Sequence, residues 1–307
     1  MFTPRVAARV VIVAAAILGL MTGAAQAQTT LKYQFKEGDK LLYTMEQSQK
    51  QTINVMGMEI ETLMTQNMDM SWNVKSMKDG KAQVVQTIDR IRVKMDSAFA
   101  AFEYDSKDGK EPEGPFGQIL GPLFAAMAGA EFTLTMNEQG DVSETKVSEK
   151  LLEAMKSNPI LQQVGGGSFT EEGLKNMLGQ SGGSVLPKNP VKKGDTWTQK
   201  MELKQPPLGV MKMNNTYTYQ GTESRGGVTL EKIDVKTEMT IEPLPNAAAE
   251  IEIKVKSAEM KGTMYFDNKA GRLVETSMNQ KMTMEINAMG NVIEAAMDQT
   301  VNMKLAK

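Results

Sequence analysis

The sequence predicts a mainly β protein: long antiparallel hairpins in a curved sheet, two related halves, and a short helical insertion between them. Three observations carry that expectation. Leu41 to Val74 reads as one long hairpin folded at Met56-Gly57, where Gly supplies the positive φ that a two-residue turn needs. The chain ends on the same device, since Ile286-Asn287-Ala288-Met289-Gly290 echoes Ile53-Asn54-Val55-Met56-Gly57. Between these stretches, Gly-rich and helical patterns interrupt the strands.

Folding at Met56-Gly57 pairs Val55 with Met58, Ile53 with Ile60, Gln51 with Thr62 and Gln49 with Met64. It continues through Gln47/Gln66, Met45/Met68, Tyr43/Met70 and Leu41/Trp72. All lie on one face, because strand side chains alternate with period two. The other face reads Thr44, Glu46, Ser48, Lys50, then Glu59, Glu61, Asn67, Asp69. A slip of one residue would mix the two sets, so the register is specified. Folding at Met289-Gly290 likewise pairs Ile286/Ile293, Met284/Ala295, Met282/Met297, Gln280/Gln299, Met278/Val301, Thr276/Met303 and Val274/Leu305. Each hairpin carries a Gln pair midway along a mostly apolar face.

In chain order, residues 1–27 read as an export signal. Arg5 and Arg9 precede an apolar run from Val10 to Met21 and an Ala25-Gln26-Ala27 cleavage site. That run is too short to span a bilayer. A first β-rich half covers 28–147, a helical linker 148–185, and a second β-rich half 186–307. Leu31, Tyr33 and Phe35 alternate with polar residues and predict an opening strand. Val85, Thr87, Ile91, Val93 and Met95 predict another, with Asp89 interrupting its apolar side. Tyr104 to Gly114 is polar and turn-rich, and Pro115 to Ala130 reads as a short or broken helix. Phe132, Leu134 and Met136 lead to the turn Asn137-Glu138-Gln139-Gly140. Ser148 opens a helix to about Ser157, and Ser168-Phe169-Thr170-Glu171 fits a capping box opening a second. Strands resume after Leu186-Pro187, with a hairpin turning near Pro206-Pro207-Leu208-Gly209 and an Ile233-Asp234 strand like that at Ile88-Asp89.

Composition narrows the function. Formal net charge is −2, and becomes −4 when Arg5 and Arg9 leave with the signal. Lys and Glu are interspersed, which gives no basic patch for nucleic acid. There is no Cys, so no disulfide, and no His, which removes Ser-His and Cys-His nucleophiles and the common zinc sites. Paired acids such as Glu59/Glu61 and Asp267/Glu275 have no nucleophile, base and orienter beside them. The expectation is a non-enzyme without a cofactor, exported to the periplasm or beyond and not membrane-spanning.

Lys36-Glu37-Gly38-Asp39 and Lys192-Lys193-Gly194-Asp195, the Met-Gly hairpin turns, and Tyr265-Phe266-Asp267-Asn268 through Gly271-Arg272-Leu273 resemble a family of exported bacterial proteins of unknown function. That resemblance implies no activity and no catalytic residues. At the level of strand pattern, the long hairpins also look like the half-barrel of periplasmic lipoprotein carriers.

Candidate ligand-facing residues follow from the apolar faces: Tyr43, Met45, Gln47, Met64, Gln66, Met68, Met70 and Trp72, with Met278, Gln280, Met282, Met297 and Gln299. Methionine is abundant, 26 in 307 residues. It suits adaptable apolar surfaces, so the first expectation is a carrier for a lipid or other apolar molecule. The others are an envelope module that docks a protein partner, and Cu(I) bound by soft Met-x-Met pairs such as Met68/Met70 and Met282/Met284. Asp105, Asp108, Glu111 and Glu113 offer hard oxygens without the spacing of a calcium loop. Pro115 to Ala130 reads as core cover or a lid.

Overall fold

The computed structural model describes residues 28–55, 57–98, 101–110, 114–157, 171, 173–175, 185–205, 209–242, 251–288 and 291–306. The first half supplies β1 (Lys40–Val55), β2 (Met58–Lys78), β3 (Lys81–Ser97), β4 (Ala101–Asp105), α1 (Gly114–Met127), β5 (Glu131–Met136) and β6 (Val142–Val147). After α2 (Glu149–Lys156) come β7 (Thr196–Gln205), β8 (Gly209–Arg225), β9 (Val228–Glu242), β10 (Ile251–Asp267), β11 (Arg272–Ala288) and β12 (Asn291–Leu305). They form one curved, open, 12-stranded antiparallel sheet in the order β6-β5-β3-β2-β1-β12-β11-β10-β9-β8-β7, with β4 pairing β3 off this path. The expected mainly β class is therefore what the chain adopts.

Both hairpin registers are those the alternation demands. Val55↔Met58 through Leu41↔Trp72 pair as expected, and Gly57 has φ +80° at the two-residue turn. Ile286↔Ile293 through Thr276↔Met303 pair likewise. Between them lies a pairing that no local pattern announces. β1 and β12 run side by side from Tyr43↔Leu305 to Val55↔Ile293, joining the first hairpin to the last. The strand nearest the start of the described chain and the strand nearest its end thus meet mid-sheet.

The repeated Lys-x-Gly-Asp segments fold identically. Lys36 N donates to Asp39 Oδ2 at 2.9 Å, as Lys192 N does to Asp195 Oδ2. Gly38 N and Gly194 N then donate to Val74 O and Tyr219 O, at 2.9 and 2.8 Å. Each turn therefore anchors its strand to the strand that follows.

Several expectations are corrected. Leu31, Tyr33 and Phe35 lie on an extended strap, not on a strand of the sheet. Its amides reach turns instead: Tyr33 N donates to Glu138 O (2.7 Å) and Gln34 N to Gly271 O (2.9 Å), while Thr29 pairs with Val191. At Gly271, with φ +62°, a Cβ would fall 2.4 Å from Gln34 N, so only glycine lets the strap this close. Val85 and Thr87 do not share the face of Ile91 and Val93. The register shifts at Asp69/Met70, and Asp89 is the extra residue of a β-bulge that moves the apolar set to the other parity. Strand β4 extends to Asp105, into the stretch from Tyr104 that reads as polar and turn-rich. The stretch after Pro115 is an unbroken helix despite Pro122, and it lies before β5 and β6. α2 follows Ser148 as expected, and Glu171 with 173–175 is helical. The export segment 1–27, Met56, Met289-Gly290, the Pro206-Pro207-Leu208 turn and the capping-box start at Ser168 lie outside the described residues.

The core sits on one face of the sheet, termed here the inner face. At the end carrying the strap, Leu31, Tyr33, Leu186 and Val191 pack on Tyr217, Tyr219, Ile233, Val235, Met264, Phe266 and Leu273. Phe35 touches both this cluster and the one formed by Val74, Ala82, Val84, Leu134 and Met136. The strap therefore ties the two halves together. Elsewhere on this face α1 lies over β3 and β4, with Phe124, Leu120 and Met127 against Ile88, Ile91, Val93, Phe102 and Tyr104. α1 is core cover at this position.

Candidate functional site

Because directly paired residues share a face, the registers define transverse rows across the inner face. One row runs Gln66, Gln47, Val301, Met278, Gly262, Val235, Tyr217, Trp197. The next runs Met64, Gln49, Gln299, Gln280, Met260, Thr237, Asn215, Gln199. A third begins Thr62, Gln51, Met297, Met282, Ala258. The β1–β12 seam thus brings the two expected Gln pairs within one register step of each other. Gln49 and Gln51 join them. The result is a polar stripe across a face that is Met- and Ile-rich toward the hairpin tips, where Ile60, Ile53, Ala295 and Met284 share a row.

The stripe has two parts. On β7 to β9 its groups bond to each other: Thr237 Oγ1 donates to Asn215 Oδ1 (2.6 Å), and the Tyr217 hydroxyl donates to Gln199 Oε1 (3.0 Å). Burial pushes the Tyr217 phenol up to about 12. At the seam, Gln47, Gln49, Gln51, Gln66, Gln280 and Gln299 are half-buried, and among the described residues none of their amides has a hydrogen-bond partner. One row nearer the strap, the buried Thr276 Oγ1 also lacks a partner among the described residues. A buried polar atom without a partner is uncommon, which marks Thr276 Oγ1, whereas the half-exposed glutamine amides remain open to solvent.

The expected site residues all share this face but divide by environment. Tyr43 is 1% exposed, donates to Leu273 O at 3.0 Å and packs on Trp72 with ring centroids 5.0 Å apart. Burial raises its phenol pKa, with smaller effects of Tyr33 and Arg272. These two aromatics serve the closed end. Met64 and Met68 pack against the α1 cluster, and Met278 against the strap cluster. Met282 is buried. Met45, Gln47, Gln66, Met70, Gln280, Met297 and Gln299 keep part of their surface exposed. The alternation of β7 to β9 would have revealed Gln199, Asn215 and Thr237, which share parity with Trp197, Tyr217 and Val235. Gln49 and Gln51 were in the hairpin pattern without being singled out.

Four of the acidic candidates, Asp105, Glu61, Glu275 and Asp267, have structural partners, and Glu111 and Glu113 lie outside the described residues. Asp105 receives both Arg90 Nε, at 2.8 Å, and Nη2. The Arg90 hydrogen bonds hold its carboxyl at about 2, against desolvation and aided by Lys107 N. Glu61 pairs with Lys50 at 2.5 Å, Glu275 with Arg225 at 2.9 Å, and Asp267 Oδ1 caps Ala270 N. Among the described residues no group of three or more acidic side chains is placed to hold a metal ion, and no helix is long and apolar enough to cross a membrane.

The profile of a family of unknown function, DUF6263, matches residues 79–273. The chain belongs to this family. No curated protein matches the sequence. Among solved structures, one of lipovitellin and its lipid–protein interactions is 10% identical with a TM-score of 0.49; it covers 89% of this chain, and the chain spans only 26% of lipovitellin. The translocator domain of the autotransporter NalP from Neisseria meningitidis is 7% identical (TM-score 0.22, covering 88% of this chain and 89% of that one). An outer-membrane channel from Pseudomonas putida F1 is 5% identical (TM-score 0.24, covering 89% and 97%). At these scores the likenesses carry no argument about function.

Proposed function

We propose that this DUF6263 protein is an exported, non-enzymatic binding or carrier protein that holds an apolar or amphipathic molecule against the seam region of the inner face. The observation that carries this reading is the unbonded glutamine stripe on a half-exposed Met- and Ile-rich surface. Ligand sites combine a mainly apolar wall with a few polar groups that fix orientation, and methionine lets such a wall adapt to its occupant. The absence of His and Cys from the whole sequence supports the non-enzymatic part. Apart from Glu231, which accepts from Tyr219 at the strap end, the charges of the hairpin strands lie on the outer face, the reverse of an outer-membrane barrel, whose apolar band faces outward.

Native mass spectrometry of the protein from its exporting host, followed by solvent extraction, tests the reading. A reproducible co-purifying apolar molecule supports it. A clean ligand-free mass in folded, monodisperse protein counts against it and favours a second reading, an envelope module that docks a protein partner. That alternative is motivated by β6 and β7, whose outer edges are free of strand partners in the sheet order.

A further inference from the structure

We infer that the stripe recognises an uncharged head group, so that the molecule carried is a neutral amphiphile: an apolar body joined to a hydroxyl, ester, amide or sugar. The inference rests on the binding reading above and narrows it to a ligand class.

The chain has 35 Lys and Arg and 37 Asp and Glu, yet the rows through Gln47, Gln49 and Gln51 contain none. The row through Ile53 and Ala295 toward the hairpin tips contains none either. The charges flanking these rows on the hairpin strands alternate to the other face, where Lys50 pairs with Glu61 at 2.5 Å and Lys281 with Asp298 at 3.1 Å. α1, which lies over the neighbouring part of the inner face, also has no charged residue.

This environment discriminates between head groups. Phosphate and carboxylate are held by Arg or Lys through charge-assisted hydrogen bonds, and none is available in these rows. An anion withdrawn from water against neutral amides loses hydration worth several kcal/mol without a counter-charge. A Gln amide both donates and accepts, which matches hydroxyls, esters, amides and sugars. Gln49, Gln299 and Gln280 stand side by side across the strands with that capacity unspent, and Thr276 Oγ1 lies buried and unpartnered nearby. Between Gln51 and Val55 the strand offers about 13 Å of wall toward the tips, at roughly 3.3 Å per residue, for the apolar body.

The test uses the full mature chain stripped of bound material by solvent and refolded. Monopalmitoylglycerol, palmitate and palmitoyl lysophosphatidate, which share one chain and differ in head group, are titrated below their aggregation concentrations by calorimetry. The expected result is binding of the monoacylglycerol at least about tenfold tighter than either anion, roughly 1.4 kcal/mol. Gln299→Lys, with Gln280→Lys as an independent second variant, is expected to raise affinity for the two anions about tenfold. Equal or tighter binding of an anion by the wild type overturns the neutral-ligand inference while leaving an apolar-ligand protein. Unchanged anion affinity in both folded Lys variants also overturns it, because the stripe then does not meet the head group. Binding of none of the three overturns the inference and the binding reading together.

Discussion

At the strap end of the inner face, Tyr43 donates to Leu273 O and Tyr219 to Glu231, and Trp197 Nε1 donates to Val185 O at 3.0 Å. Midway along the same strands, Gln47, Gln49 and Gln299 have no partner among the described residues. Both regions are made by the same period-two alternation on the same sheet. At the strap end each of these polar groups is bonded and the surrounding aromatics are buried, as folding requires. At the seam the glutamine amides have no partner among the described residues and Met45 and Met297 are half-buried, which contributes little to folding. On the proposed reading, stability and binding are separated along the length of the strands.

The largest effect is expected where the core is tightest. Phe266 is fully buried and meets Tyr33 edge-on at 5.3 Å. Phe266→Ala should cost about 3–5 kcal/mol, seen as a lower urea midpoint, whereas Met297→Ala should cost well under half as much. Comparable losses would erase the distinction between the two regions. Gly271→Ala comes next. A methyl group there meets Gln34 at 2.3 Å, and the positive φ disfavours it further, for about 2–4 kcal/mol in all. Hydrogen exchange should then show the strap amides of Tyr33 and Gln34 opening first.

A smaller effect has a pH signature. Asp105 carries a folded pKa near 2, below its unfolded value, because Arg90 binds it. Its contribution is therefore present above the unfolded value near 4 and is lost as pH falls through about 2. Asp105→Asn should lower stability by about 1 kcal/mol at neutral pH, and the gap from wild type should close between roughly pH 4 and 2. A gap that persists below that window would assign the loss to packing. The smallest effect is expected at the seam. Gln299→Leu should shift stability by less than about 0.5 kcal/mol while weakening capture of the co-purifying molecule. A clear loss of stability would mean that the stripe is structural.

Within each hairpin the register was legible residue by residue, since an apolar face opposite a polar one leaves no second solution. The seam was not. Pairing Gln49 with Gln299 depends on which strand edges meet after the whole sheet has curved, and no local spacing encodes that. Asp89 interrupting an apolar run was visible, but its reading as a bulge requires the partner strand. Leu31, Tyr33 and Phe35 have a strand-like pattern because the strap buries alternate side chains, although its amides bond to turns. Among the candidate residues, the sequence placed Tyr43, Trp72 and Met45 on one face. It could not say that Tyr43 and Trp72 lie under the strap end while Met45 lies in the half-exposed middle.

Methionine itself supplies the most direct measurement. Brief peroxide labelling of the solvent-stripped protein, read by peptide mass spectrometry, compares Met45 and Met297 at the seam with buried Met264 and exposed Met58. Met45 and Met297 should oxidise at rates nearer to Met58 while Met264 stays slow, and restoring a co-purifying molecule should slow only the seam pair. If Met45 and Met297 are as slow as Met264 in the stripped protein, the seam is a filled core and the binding face does not exist.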